Sequence, residues 1–176
     1  MRVVALDPSL TAFGVADSAT MEGWTITPPR GLSGPGRLHY LQKQVDQATT
    51  EADLVVREGY AMGAKGRAVF PIGELGGVIV LTMHCRNRPL VDVSPGTLKK
   101  FATGKGNSPK EAMLQAAWQR LGYTGHDHNC SDALWLLQAA LVHYALPGAV
   151  DLPKAQVESL AKVEWPTLEQ LGRAAA

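Results

Sequence analysis

Two short apolar runs, Val3-Val4-Ala5-Leu6 and Leu54-Val55-Val56, each lead into a carboxylate, Asp7 directly and Glu58 after Arg57. Runs this apolar, without polar alternation, read as strands buried in the interior of a sheet. A carboxylate carried at the end of such a strand and left unpaired costs several kcal/mol on desolvation, on the order of a lost buried charge partner. Arg57 is the one basic residue fixed nearby in sequence, so a divalent cation is the compensating group that the pattern suggests. A third acid, Asp132, falls in the first turn of the last long helical pattern. Each acid has a structural explanation when taken alone. Asp7 is a turn residue before Pro8, Glu58 a rim residue paired with Arg57 or Lys65, and Asp132 the third-position acid of a capping box headed by Asn129. The three converge only if the two strands are neighbours and the last helix crosses their ends.

The rest of the chain is compatible with that arrangement. Thr11 to Ala16 pairs with the first strand as a hairpin across Asp7-Pro8-Ser9, and Trp24 to Thr27 is a third strand closed by Pro28-Pro29. Gly31 to Gly36 reads as a loop, followed by a helix with Leu38, Leu41, Val45 and Ala48 on one stripe. After Glu58 comes a basic glycine loop, then a helix from Ile72 to Cys85, a strand from Leu90 to Val93 and a short helix opened by Ser94-Pro95. Thr103 to Asn107 is a second basic glycine loop. Ser108-Pro109-Lys110-Glu111 reads as a capping box with proline in the first turn, starting a helix that ends at Leu121-Gly122. The last long helix spans about Asn129 to Tyr144. Strand and helix alternate after an opening meander, which predicts one α/β domain over residues 1–150 with a mixed central sheet flanked by helices, and a weakly helical tail over 151–176.

Composition narrows the function. The 176 residues are 45% hydrophobic and 19% charged, with no run long enough for a membrane span, and the opening lacks a signal-peptide pattern, so a soluble cytoplasmic protein is expected. The net charge is +1, but it is unevenly distributed. From Arg57 to Arg120 ten basic residues face four acidic ones, an excess of +6 that leaves −5 elsewhere. A segregated basic segment suits a phosphate backbone.

These residues carry a family resemblance. Val4-Ala5-Leu6-Asp7-Pro8-Ser9-Leu10-Thr11-Ala12-Phe13-Gly14-Val15 resembles the first-strand motif of RuvC-type Holliday junction resolvases. Val55-Val56-Arg57-Glu58 is similar to the family's strand ending in catalytic Glu, and Ile72-Gly73-Glu74-Leu75-Gly76-Gly77-Val78 to the glycine-containing helix after it. The segment Val93-Ser94-Pro95-Gly96-Thr97-Leu98-Lys99-Lys100, with Thr103-Gly104-Lys105-Gly106 and Lys110, and the closing Asp132-Ala133-Leu134, continue the likeness over roughly Val3 to Tyr144. The resemblance implies an RNase H-like fold and a homodimer acting on branched DNA, the four-way junction first. It also implies two Mg²⁺ ions per active site, with Mn²⁺ able to substitute, and a nick leaving 5′-phosphate and 3′-hydroxyl.

The implied catalytic and metal-ligating set is Asp7, Glu58, Asp127 and Asp132. The fourth position departs from the family, where an acid or a His lies three residues before the last Asp; here that residue is Asn129. Asp127-His128-Asn129 looks closer to phage-type relatives, which favours Asp127 and leaves His128 or Asn129 as alternatives. Clustered carboxylates repel and stay ionised together only around cations, and paired ions serve the two ends of one phosphodiester displacement. Tyr60, Lys65, Arg67, Lys99, Lys100, Lys105 and Lys110 are the expected DNA contacts, Tyr60 by stacking on an unpaired base. A non-catalytic branched-DNA-binding relative, and an RNase H-like nuclease acting on RNA/DNA hybrids, are the competing readings.

Overall fold

The first half of the chain builds the sheet. The computed structural model describes residues 1–60, 66 and 69–174. In it, β1 (Val3–Asp7), β2 (Phe13–Asp17) and β3 (Glu22–Ile26) form an antiparallel meander. β4 (Leu54–Glu58) then adds parallel to β1 on its free side, and β5 (Leu90–Val93) adds parallel to β4. The sheet order is β3-β2-β1-β4-β5, so both acid-terminated strands lie inside the sheet and next to one another. Every residue of β1 is buried, as its unbroken apolar run requires.

Strand alternation divides the core into two layers. Val4, Leu6 and Val55 pack under α1 (Gly34–Thr49) and α2 (Val69–Cys85). Val3, Ala5, Leu54, Val56, Val91 and Val93 face the layer of α3 (Pro95–Thr103), α4 (Lys110–Leu121) and α5 (His128–His143). α5 is buried almost all round, with Trp135 fully enclosed, edge-on to Phe101 at 5.9 Å and donating its indole N–H to the Met113 carbonyl. A helix held this firmly fixes whatever its first turn carries. Gly14 lets that turn approach β2: a Cβ there would overlap the backbone carbonyl of Asn129.

Several expectations need correction. α1 starts at Gly34, inside the stretch read as a loop, because Pro35 is pre-organised for a first helical turn. The capping box at Ser108 does not form. Pro109 is the residue before α4, while the buried Ser108 hydroxyl pairs with Thr103 Oγ1 at 2.7 Å and ties the glycine loop shut. Residues 151–174, read as a weakly helical tail, pack onto the domain. They form α6 (Lys154–Val157), a 3₁₀ turn (Glu158–Lys162) and α7 (Leu168–Ala174), and they bury Leu152, Leu160 and Leu171 in the α3–α5 layer. Gln156 donates to the Phe101 carbonyl at 2.6 Å, and Trp165 stacks on His143. Polar residues between those few leucines hid the packing from a periodicity argument. Among the described residues no helix is long and apolar enough to cross a membrane.

Candidate active site

Asp7 and Glu58 are the last residues of two adjacent parallel strands. The register pairs Leu6 with Arg57, which sets the two acids side by side at the same end of the sheet. Alternation points both toward the α5 layer, because Ala5 and Val56, two residues before each acid, pack into that layer. Asp132 is in the first turn and a half of α5, whose start packs against Gly14, the cross-strand partner of Asp7. Three acids far apart in sequence thus share one place in the fold.

Their electrostatics are those of buried like charges. Burial, then Glu58, then Asp132 push the Asp7 carboxyl up to about 8, with Lys110 acting against them. Burial and Asp132 raise Glu58 to about 7, opposed by Lys110 and Lys99. Burial raises Asp132 to about 6 while Lys110, His128 and Lys99 pull it down. None of the three carboxylates takes part in an ion pair or accepts a side-chain or backbone hydrogen bond among the described residues. The rim pairing of Glu58 with Arg57 is not what forms, since Arg57 lies on the opposite face and binds Asp92.

Asp127 does something else. Its Oδ1 accepts from the backbone N–H groups of Asn129 and Cys130, and its Oδ2 accepts from Thr25 Oγ1 at 2.6 Å. It is the N-cap of α5, the role expected of Asn129, and Thr25 on β3 locks it in place. Burial alone would raise its pKa, but the hydrogen bonds from Thr25 and the helix N-terminus outweigh that and hold it low. With both oxygens engaged, Asp127 is a poor fourth ligand. His128 is the better candidate: its Nδ1 is buried with no hydrogen-bond partner among the described residues, and it stands one helical turn before Asp132. The orphaned nitrogen carries no signature in the sequence, where only the cap position of Asp127 could have pointed to it.

The oxygen-rich donor set suits a hard divalent cation, which would relieve the raised carboxylates and accept the unpaired imidazole nitrogen. As the side chains stand, no three His, Cys, Asp or Glu among the described residues are grouped closely enough to hold a metal ion. The acids are near enough to repel one another without forming a closed cage. Among the expected DNA contacts that fall in the described residues, Lys99 on α3 and Lys110 at the start of α4 are the two whose charge reaches the acids. Lys100 and Lys105 are exposed. Tyr60 is 47% exposed, with its ring resting on α2 at Gly76. Lys65 and Arg67 lie outside the described residues.

A mixed five-stranded sheet in this order, flanked by helices on both faces, is an RNase H-like fold. No protein-family model matches the chain. It is 25% identical over 154 residues to the crossover junction endodeoxyribonuclease RuvC of Dehalococcoides mccartyi, covering 82% of this chain and 92% of the relative. RuvC of Saccharopolyspora erythraea is 24% identical over an alignment covering 100% of this chain and 94% of the relative. The Thermus thermophilus RuvC structure superposes with a TM-score of 0.66 at 17% identity, covering 86% of this chain and 99% of the other. A second Thermus thermophilus RuvC structure, in complex with Holliday junction substrate, gives 0.65 at 18% identity, covering 86% and 98%. The chain is RuvC-like in sequence and in fold.

Proposed function

We infer that this chain is a metal-dependent endonuclease that resolves Holliday junctions, with Asp7, Glu58 and Asp132 as carboxylate ligands and His128 in place of Asp127 as the fourth. The observation that carries this reading is the meeting of three acids from β1, β4 and α5, none of them paired among the described residues, with carboxyls raised to about 8, 7 and 6. A protein that gains nothing in stability from such a cluster has reason to keep it for binding a cation. Ligation requires the side chains to draw together from their present positions.

Mg²⁺ or Mn²⁺, two ions per site, would supply the activation of the attacking water and the stabilisation of the departing 3′ oxygen. The chain's own residues do the rest. The sheet aims Asp7 and Glu58, and the cap of Asp127 on Thr25 sets the start of α5 so that His128 and Asp132 face them. Lys99 and Lys110 place positive charge beside the acids, where a scissile phosphate has to come. Lys100, Lys105, Lys65, Arg67 and Tyr60 extend the contact along the DNA. Two symmetric cuts in one junction call for two sites, hence a homodimer. The outer face of α2 is a surface for the second copy: Phe70 is 75% exposed and Leu81 62%. Such an enzyme works on DNA in the cytoplasm.

The test is cleavage of a synthetic four-way junction, a flap, a linear duplex and an RNA/DNA hybrid in Mg²⁺, by the wild type and Asp7→Asn. Nicks in the junction with 5′-phosphate ends, absent from the variant, are expected. Junction binding without cutting by the wild type identifies a non-catalytic relative, and preferential cutting of the hybrid identifies a different RNase H-like nuclease.

A further inference from the structure

On the face of the sheet turned away from the acids lies a buried cation that the reading above leaves unused. Arg57 directly precedes Glu58 on β4 and, by alternation, points the opposite way. It is only 3% exposed. Its Nε donates to Asp92 Oδ1 at 2.5 Å and its Nη2 to Asp92 Oδ2 at 3.1 Å, a bidentate pair with the cross-strand neighbour on β5. Its Nη1 donates to the Gly76 carbonyl of α2 at 3.0 Å. Its guanidinium carbon lies 5.3 Å from the centroid of the Tyr60 ring, two residues beyond Glu58. Gly76 completes the arrangement, since a Cβ there would overlap that ring.

Stability alone is a weak reason for this group. Desolvating a guanidinium costs several kcal/mol, of the order that a buried ion pair barely recovers, and an apolar side chain would fill the same space without that cost. What the fork supplies is direction. Planar, bidentate donors fix β4 against β5, α2 and the Tyr60 turn at once. Glu58, the next residue, has no hydrogen bond or ion pair of its own among the described residues to hold it. The charges acting on it are those of Asp132, Lys110 and Lys99, so any influence of Arg57 passes through the shared backbone.

We propose that Arg57, anchored by Asp92, is a positioning residue that sets the direction of Glu58. This rests on Glu58 being a metal ligand of the proposed nuclease. The test is single-turnover cleavage of a four-way junction, enzyme in excess, over a Mn²⁺ titration. The proteins are the full-length wild type, Arg57→Met, Arg57→Lys and Asp92→Asn. Arg86→Met is the control, because Arg86 makes an equally bidentate pair with Asp46 away from the acids.

The expected result for Arg57→Met is a rate lower by about tenfold or more, as a misplaced reactive group gives, with junction affinity unchanged and the Mn²⁺ requirement raised. Saturating Mn²⁺ recovers part of the rate. Arg57→Lys is intermediate, Asp92→Asn moves in the same direction, and Arg86→Met keeps both the rate and the Mn²⁺ requirement of the wild type. A folded Arg57→Met or Asp92→Asn that cuts like the wild type overturns the proposal, as does slowing with an unchanged Mn²⁺ requirement. If Arg57→Met does not fold, Asp92→Asn decides. A wild type that cuts nothing overturns the nuclease reading itself, and the positioning role with it. A wild type that cuts while its variants cut equally well overturns the positioning role alone.

Discussion

Replacing Asp7 with asparagine should make this protein more stable near neutral pH. Asp7 is 7% exposed, and its carboxyl is raised from an ordinary 3.8 to about 8, first by burial and then by Glu58 and Asp132. Between those two values the folded chain keeps a proton that the unfolded chain has lost, so stability falls as pH rises from about 4 and levels off above about 8. Each pH unit in that window costs ~1.4 kcal/mol, so by pH 7 keeping that proton on the folded chain costs about 4 kcal/mol. Asparagine has the same shape and no charge to bury. Its amide finds no ready partner, which returns ~1 kcal/mol or more. A net gain of about 3 kcal/mol for Asp7→Asn near pH 7, shrinking to within about 1 kcal/mol near pH 4, is the expectation. Urea unfolding of both proteins from pH 4 to pH 8, in chelator and then in millimolar Mg²⁺, measures it. Mg²⁺ should stabilise the wild type and leave the variant nearly unmoved. An asparagine variant less stable than the wild type near pH 7, or a wild type whose stability rises across this range, refutes the claim that Asp7 is an uncompensated acid.

Other consequences follow from the same contacts. Lys99→Ala with Lys110→Ala should weaken junction binding and flatten its dependence on salt by about one slope unit per lost phosphate contact, read by fluorescence anisotropy in a salt series. Gly14→Ala puts a methyl onto the Asn129 carbonyl and should cost about 1–3 kcal/mol through overpacking, with cleavage falling further as α5 shifts; thermal unfolding and a cleavage assay separate the two effects. Leu160→Ala in the C-terminal segment should destabilise the whole domain by about 2–5 kcal/mol in a single cooperative transition, whereas a loose tail would register no change.

The parts of this fold that were legible in the sequence are those where local chemistry and tertiary packing agree. Unbroken apolar runs announced β1 and β4, and an Asp or a Glu after such a run was readable as anomalous. Gly122, in a left-handed conformation with φ 67°, marked the end of α4 as expected. Residues whose partners come from distant elements were not legible. Asn129 and Asp127 are both good caps, and Thr25, more than a hundred positions away, decides between them. Ser108 has the right spacing for a capping box, yet Thr103, five residues earlier, offers its hydroxyl a partly buried partner and takes it. Arg57 is adjacent to Glu58 in sequence, which suggested an ion pair; the two-residue period of a strand sends the pair to opposite faces.

The most direct measurement is anomalous scattering from Mn²⁺-soaked crystals. Peaks in contact with Asp7, Glu58 and Asp132, and with His128 rather than Asp127, are predicted, accompanied by inward rotation of the carboxylates. Mn²⁺ bound elsewhere, or a site from which any of those three acids stays turned away, would contradict the account.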